Sequence, residues 1–319
     1  MSNLMLPVWW ALAALAAAAT AESPEELIER ASFRAARALL EKQPPGPRTS
    51  YLLARTLEAA GEYETALKLM EGAVAAEPGN ADYHSLLAEL CGYAAQKAGP
   101  FRGLGLARRF KRENEIALTL NPKHAEALHA VAMFYWEAPG LIGGDLNKAR
   151  AAAEDLVRAD PVRGYLTQAE LASKEKNTAR TEECHRKAVE ADPKSVLARV
   201  ARARFYLAAE RYAEAETHAR AAMALAPHRA APYTILAQAL ASTGRMEALD
   251  AILAQSAQLV PNDLSPGYFA ARRLLLMKRD PARAEALLLA YLAREPEYGA
   301  PSHEQARKLL AQVRNLKGF

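Results

Sequence analysis

The chain is short of several things, and each shortage narrows the answer. Cysteine is nearly absent: 319 residues hold only Cys91 and Cys184, too few for a disulfide scaffold. With 16 glycines and 18 prolines, the chain is neither collagen-like nor low in complexity. There is no surplus of one charge. Against 41 basic residues stand 37 acidic ones, for a net +4, which by itself points to no nucleic-acid footprint. At 51% hydrophobic residues the chain is too apolar to remain disordered. What is abundant is alanine, more than a fifth of the sequence, among many Leu, Arg, Lys and Glu. These are the strong helix formers, so an all-helical fold is expected.

The N-terminus carries a different signal. No charged side chain occurs before Glu22, and Leu4 to Ala19 is an almost unbroken apolar run that includes Trp9, Trp10 and Leu15. Its length, about 16 residues, is short of the roughly 20 needed to span a bilayer. Ala19-Thr20-Ala21 ahead of Glu22 has the small-x-small form of a signal-peptidase site. The pattern predicts a signal peptide at residues 1–21, cleaved after Ala21. The n-region has no Lys or Arg, and an uncleaved N-terminal anchor is the alternative. After cleavage no stable membrane span is expected.

From there the chain repeats. Pro44, Pro78, Pro122, Pro161, Pro193, Pro227, Pro261 and Pro296 follow one another at intervals of 34, 44, 39, 32, 34, 34 and 35 residues. Twelve residues before a proline stand Ala66, Ala149, Ala215 and Ala284; five before stand Ala73, Ala117, Ala188 and Ala222. Small side chains at such positions let two helices cross closely, while Leu57, Leu67, Leu236 and Leu253 fill the space between units. Each proline ends a helix, because it lacks an N–H and clashes with the preceding turn.

A period near 34 with this pattern resembles the tetratricopeptide repeat (TPR). The stretch Leu53, Ala54, Leu57, Gly61, Tyr63, Ala66, Ala73, Pro78 is similar to the TPR signature, as is Ala203, Tyr206, Tyr212, Ala215, Ala222, Pro227. The resemblance implies a right-handed superhelical solenoid of antiparallel helix pairs, stacked because no unit can bury its apolar face alone. Residues 22–319 divide into a partial unit at 23–43 and about seven full units over 48–296. The full units lie at 48–78, 81–122, 125–161, 162–193, 196–227, 230–261 and 264–296. Ser302-x-x-Gln305 is a capping box that opens a last helix at 302–316. The expected product is one elongated array.

Two units break the period. The second is about ten residues too long, with the excess in the Gly-rich segment 99–105; the third is about five too long, at 138–145. Both join the two helices of their own unit and should project from one edge. The run Phe134-Tyr135-Trp136-Glu137-Ala138-Pro139-Gly140-Leu141-Ile142-Gly143-Gly144-Asp145 resembles a family of exported bacterial TPR proteins with an APG-(L/I)-(I/V)-GG insertion. The segment from Ala107 to Pro122 fits that family, and is also similar to the TPR region of eukaryotic regulators of microtubule dynamics. The resemblance implies export to the periplasm; it brings no activity and no catalytic residues. Pro139, Gly140, Gly143, Gly144 and Asp145 are a candidate partner-binding rim, with Asp145 an N-cap of the following helix. Without a G-K-[ST] sequence or a preceding strand, the Gly-rich segment is not a nucleotide-binding loop.

No metal, cofactor or catalytic set is expected, since the seven histidines are scattered. Cys91 and Cys184 fall on different helices of units two steps apart, too far for a disulfide, so free and largely buried thiols are expected. In TPR folds the first helix of each unit faces the concave side. Mapped here, that gives Tyr51, Arg55, His129, Met133, Trp136 and Arg204 as groove candidates, aromatic and Arg types being enriched at hot spots. The chaperone-type carboxylate clamp is not matched, because its positions hold residues such as Tyr51, Arg55, Ser85 and Glu89. The sequence thus reads as a non-enzymatic scaffold of the bacterial envelope that binds a protein or peptide, and no nucleic acid. A ligand-binding accessory of a transport system and an architectural factor in envelope assembly are the alternatives.

Overall fold

A computed structural model describes residues 22–317 of the chain; the expected signal peptide lies outside the described residues. Every regular element among them is helical, and the helices come in consecutive pairs. The first pairs are α1 (Pro24–Glu29) with α2 (Phe33–Leu40), α3 (Pro47–Ala59) with α4 (Tyr63–Ala76), and α5 (Ala81–Lys97) with α6 (Pro100–Leu120). Next come α7 (Ala125–Glu137) with α8 (Leu146–Ala159) and α9 (Pro161–Lys174) with α10 (Thr178–Ala191). Then follow α11 (Val196–Ala208) with α12 (Tyr212–Leu225), α13 (Ala230–Thr243) with α14 (Met246–Leu259), and α15 (Ser265–Leu276) with α16 (Pro281–Leu292). A single helix, α17 (His303–Lys317), closes the array.

The repeating prolines act through a turn. In Glu77-Pro78-Gly79-Asn80 the first carbonyl accepts from the fourth N–H, and the same bond recurs at Asn121–His124, Asp192–Ser195, Ala226–Arg229 and Val260–Asp263. Proline at the second position of such a turn has its φ already set. The fourth residue often then caps the next helix: Asn80, His124 and Ser195 each accept a backbone N–H with their side chains. Asp160 departs from this. It ends α8 and caps α9 at once, accepting from the Arg163 N–H at 3.0 Å. The connector is lost there, which accounts for the short interval of 32 residues that follows Pro161.

Alanines at the crossings are sealed. Ala66, Ala117, Ala149, Ala188, Ala215, Ala222 and Ala284 have no solvent exposure. Leu57, Leu67 and Leu236 are buried around them, and Leu253 is partly buried against the same core. Each fully buried leucine stabilises the fold by roughly 1.5–3 kcal/mol relative to exposure. Cys91 and Cys184 are both free and buried.

Two expectations are corrected. The excess of the second unit is not a loop: α5 runs 17 residues and α6 runs 21, so the addition lengthens both helices of the pair. Gly99 caps α6 and Pro100 occupies its first turn, where the missing N–H costs nothing. Gly103 and Gly105 lie inside this helix, held by packing despite their poor propensity.

Nor is the array open-ended. Each pair adds a rotation to its neighbour, and eight pairs bring the last against the first. The loop between α16 and α17 makes the junction. Arg34 of α2 donates its backbone N–H to the Glu297 carboxylate, its Nε to the Pro296 carbonyl and a terminal nitrogen to Glu295, each at 2.9 Å. Its guanidinium stacks 4.4 Å from the Tyr298 ring centre. Ser32 gives α2 no side-chain cap. Glu297 supplies one from the far end of the chain, satisfying an N–H that the first turn of a helix leaves free.

Candidate partner-binding groove

The first helix of each pair contacts the first helix of the next, while among the described residues no second helix contacts the next second helix, so the first helices lie on the inner side of the curve. On α3, Tyr51, Arg55 and Glu58 fall at steps of four and three and share one stripe. Tyr51 stacks on Tyr83 of α5 with ring centres 5.3 Å apart and lies under Arg48 at 5.4 Å. It is half-buried, and burial raises its hydroxyl pKa. Arg55 stays exposed. Glu58 faces Glu89 of α5: burial first, and then the Glu89 charge, push the Glu58 carboxyl up to about 8. Tyr93 donates to Glu89 at 3.3 Å and stacks on Tyr63 at 5.0 Å, with Lys97 above Tyr63 at 4.5 Å. These residues therefore bring together an acidic pair, two tyrosine pairs and flanking cations.

On α7 the candidates separate. His129 is exposed and its Nδ1 meets the Thr167 hydroxyl of α9 at 2.9 Å. Met133 and Trp136 are partly buried against Ala132, Ala153 and Leu171, so they join the fourth pair to the fifth. His124, buried, is a helix cap rather than a surface group: its Nδ1 accepts from the Ala127 N–H, and its Nε2 meets Asp82 at 2.9 Å. His84 is buried with Glu113, Nδ1 to Oε2 at 2.7 Å, tying α5 to α6. Burial alone would raise the Glu113 carboxyl; the His84 and Arg112 bonds outweigh it and hold it below its ordinary value.

The rim is built by the two lengthened units. At the α5–α6 tip Phe101 is 96% exposed, and Arg102 pairs with Glu64 at 2.7 Å, bracing the tip on α4. At the α7–α8 tip a short 3-10 turn, Gly140–Ile142, leaves Leu141 fully exposed. The glycines here serve a close approach. A Cβ on Gly144 would stand 1.6 Å from the Ala138 carbonyl oxygen, and Gly143 takes a φ of 105°. The N–H groups of Ile142, Gly143, Gly144 and Asp145 all donate within the segment, to Pro139, Gly140, Pro139 and Tyr135. None is left for an anion. Asp145 caps α8, accepting from Asn147 and Lys148 at 2.9 and 3.2 Å. Phe110 of α6 stacks on Phe134 of α7 at 5.5 Å, which holds the two lengthened units together.

Arg204 lies in the other half of the ring. It lines a cavity of about 600 Å³ with Arg229 and Arg273, facing the α1–α2 turn at Glu29, Arg30 and Ala31. Arg229 and the α1–α2 turn were not among the groove candidates, and no local signal marks them. They meet Arg204 only because the ring closes. Among the described residues no group of three or more His, Cys, Asp or Glu is arranged to hold a metal ion, and no helix is long and apolar enough to cross a membrane.

Residues 27–90 match the family model of the tetratricopeptide repeat. No curated protein matches the sequence. Among solved structures, a thermophilic TPR protein of Thermus thermophilus is 24% identical with a TM-score of 0.50, over 58% of this chain and 95% of that one. The human IFIT1 dimer with PPP-AAAA is 14% identical with a TM-score of 0.53, over 92% of this chain and 73% of that one. At these identities the likeness concerns the fold: with the helix pairs described above it shows an all-helical TPR solenoid, in which residues 27–90 match the tetratricopeptide repeat itself.

Proposed function

We propose that the protein is a non-enzymatic scaffold of the bacterial cell envelope that captures a protein or peptide segment along its concave wall and lengthened rim. TPR solenoids serve broadly as interaction scaffolds, and no catalytic family is indicated. The observation that carries the reading is the rim: Phe101 and Leu141, 96% and 102% exposed, stand at the tips of adjacent lengthened units. Large apolar side chains held out on ordered, braced tips are what an interface core uses. Arg55 and the Glu58–Glu89 pair offer polar selection on the wall beside them.

The test places a photo-crosslinking amino acid at 101, at 141 and, as a control, at 186, in cells that export the protein. One discrete crosslinked protein from 101 and 141, absent at 186 and lost on Arg55→Ala, is the expected result. Crosslinks spread equally over all three positions would refute it. Sequencing the N-terminus of the exported chain checks the compartment, with Glu22 expected as the first residue. A second reading, a ligand-handling accessory of a transport system, is favoured by one observation, the cavity of about 600 Å³ beside Arg204.

A further inference from the structure

The cavity at the ring junction differs in character from the groove of the first three pairs. Four arginines line it, Arg30, Arg204, Arg229 and Arg273, against two acids, Glu29 and Asp263. Arg30 is paired with Glu22. Arg273 is held by neutral groups, the hydroxyls of Ser242 and Tyr212. Among the described residues no hydrogen bond or ion pair reaches the guanidinium of Arg204 or Arg229. Arg204 and Arg229 are both exposed, so each guanidinium is open to a ligand from solvent; the protein around Arg204 lowers its pKa by burial. Two cations that line one cavity, open to solvent and without a protein partner, favour an incoming anion. Ile235 and Phe269 supply apolar wall, and the volume falls in the range of small-ligand sites, roughly 300–1,000 Å³.

We infer that this cavity binds a small anion with at least two acidic groups, one paired with Arg204 and another with Arg229. The inference rests on the ligand-handling reading. Two unpaired guanidiniums call for two acidic groups, and their charge matches the excess of two on the lining. The α1–α2 turn forms the opposite wall, so the site exists only in the closed ring, and an occupant would hold both ends of the chain at once.

Isothermal titration of the full chain at low chloride tests it, with citrate and pyrophosphate as the two anion probes. Carboxylate and phosphate chemistry are thereby separated. Saturable one-to-one binding of at least one probe is expected, weakened about tenfold or more by Arg204→Gln or Arg229→Gln, as loss of a charge-assisted bond implies. Arg150→Gln, on α8 outside this cavity and paired with Glu175 in the parent, should bind as the parent does. Because Arg204 is exposed and makes no hydrogen bond or ion pair among the described residues, Arg204→Gln should melt no lower than the parent, which separates lost binding from lost folding. Absence of saturable anion binding, or equal binding by both cavity variants and the parent, overturns the inference. The neutral fluorescent probe N-phenyl-1-naphthylamine divides the failures. If it binds while neither anion does, the ligand-handling reading stands and the anion assignment falls; if it too fails, both fall. Binding of hexaglutamate but of neither small anion would also overturn the small-ligand assignment.

Discussion

In seven of the pairs the turn between the helices enters the left-handed region. Glycine fills it at Gly61, Gly143 and Gly244, but Ala31, Lys176, Glu210 and Lys278 hold φ values of 52–60° with a Cβ in place, and Asp280 follows Lys278 in the same turn at 37°. A side chain there costs about 1 kcal/mol. Glu210→Gly and Lys278→Gly are therefore expected to stabilise the chain by about 0.5–1 kcal/mol each, measurable by urea unfolding. The Glu58–Glu89 pair runs in the opposite direction. The Glu58 carboxyl moves from an ordinary 4.5 to about 8 in the folded state, so folding favours its proton. The stability it carries is complete below the unfolded value and is lost as pH rises through about 8. Glu58→Gln should raise the stability to urea unfolding at pH 8.5 by an amount on the order of 1 kcal/mol, and leave it nearly unchanged at pH 4. The mirror case is His185 and His218, whose pKa values fall to about 4, by burial first and then by Arg202. Their stability is present above pH 6.5 and disappears as pH falls through 4.

Helices and turns show how the repeat tolerates irregularity. The proline ladder was legible because a type I turn needs proline in one place and the next cap three residues on. Asp145, Ser302 and Gln305 were legible for the same local reason; the Ser302–Gln305 box is reciprocal, at 2.7 and 3.2 Å. The Gly-rich segment of the second unit was misread as a loop, because glycine predicts turns well only when tertiary packing does not override it. Two other glycines are dictated by close approach. A Cβ on Gly164 would lie 2.3 Å from the Val157 nitrogen, and one on Gly144 1.6 Å from the Ala138 oxygen. Gly164→Ala is expected to cost at least about 1–3 kcal/mol, since α8 and α9 must move apart. Circular dichroism melts decide it; an unchanged melt would mean the crossing is loose. Trp136 is a packing residue as much as a groove residue, so Trp136→Ala should lower stability by about 2–4 kcal/mol. Arg55→Ala, exposed and outside the core, is the cleaner binding probe.

Over the whole molecule the decisive event is closure. Arg34, Glu295, Glu297 and Tyr298 join segments more than 260 residues apart. Glu297 is 8% exposed, and burial raises its pKa in spite of the two backbone N–H groups it accepts. Replacing it by alanine leaves the first turn of α2 uncapped and removes one of the bonds that join the two ends, while the Arg34 side chain keeps Pro296, Glu295 and Tyr298. Small-angle scattering of Glu297→Ala should show a larger radius of gyration and a longer maximum dimension than the parent, with helicity retained. Unchanged scattering would mean that packing around the turn, and not the latch, closes the ring. Helix content, repeat period, caps and crossings were determined by sequence alone, because each rests on contacts within about 34 residues. Closure, the cap that Glu297 lends to α2 and the arginine-lined cavity were decided only by the tertiary structure. They depend on small rotations summed over eight pairs, and no local window of sequence contains that sum.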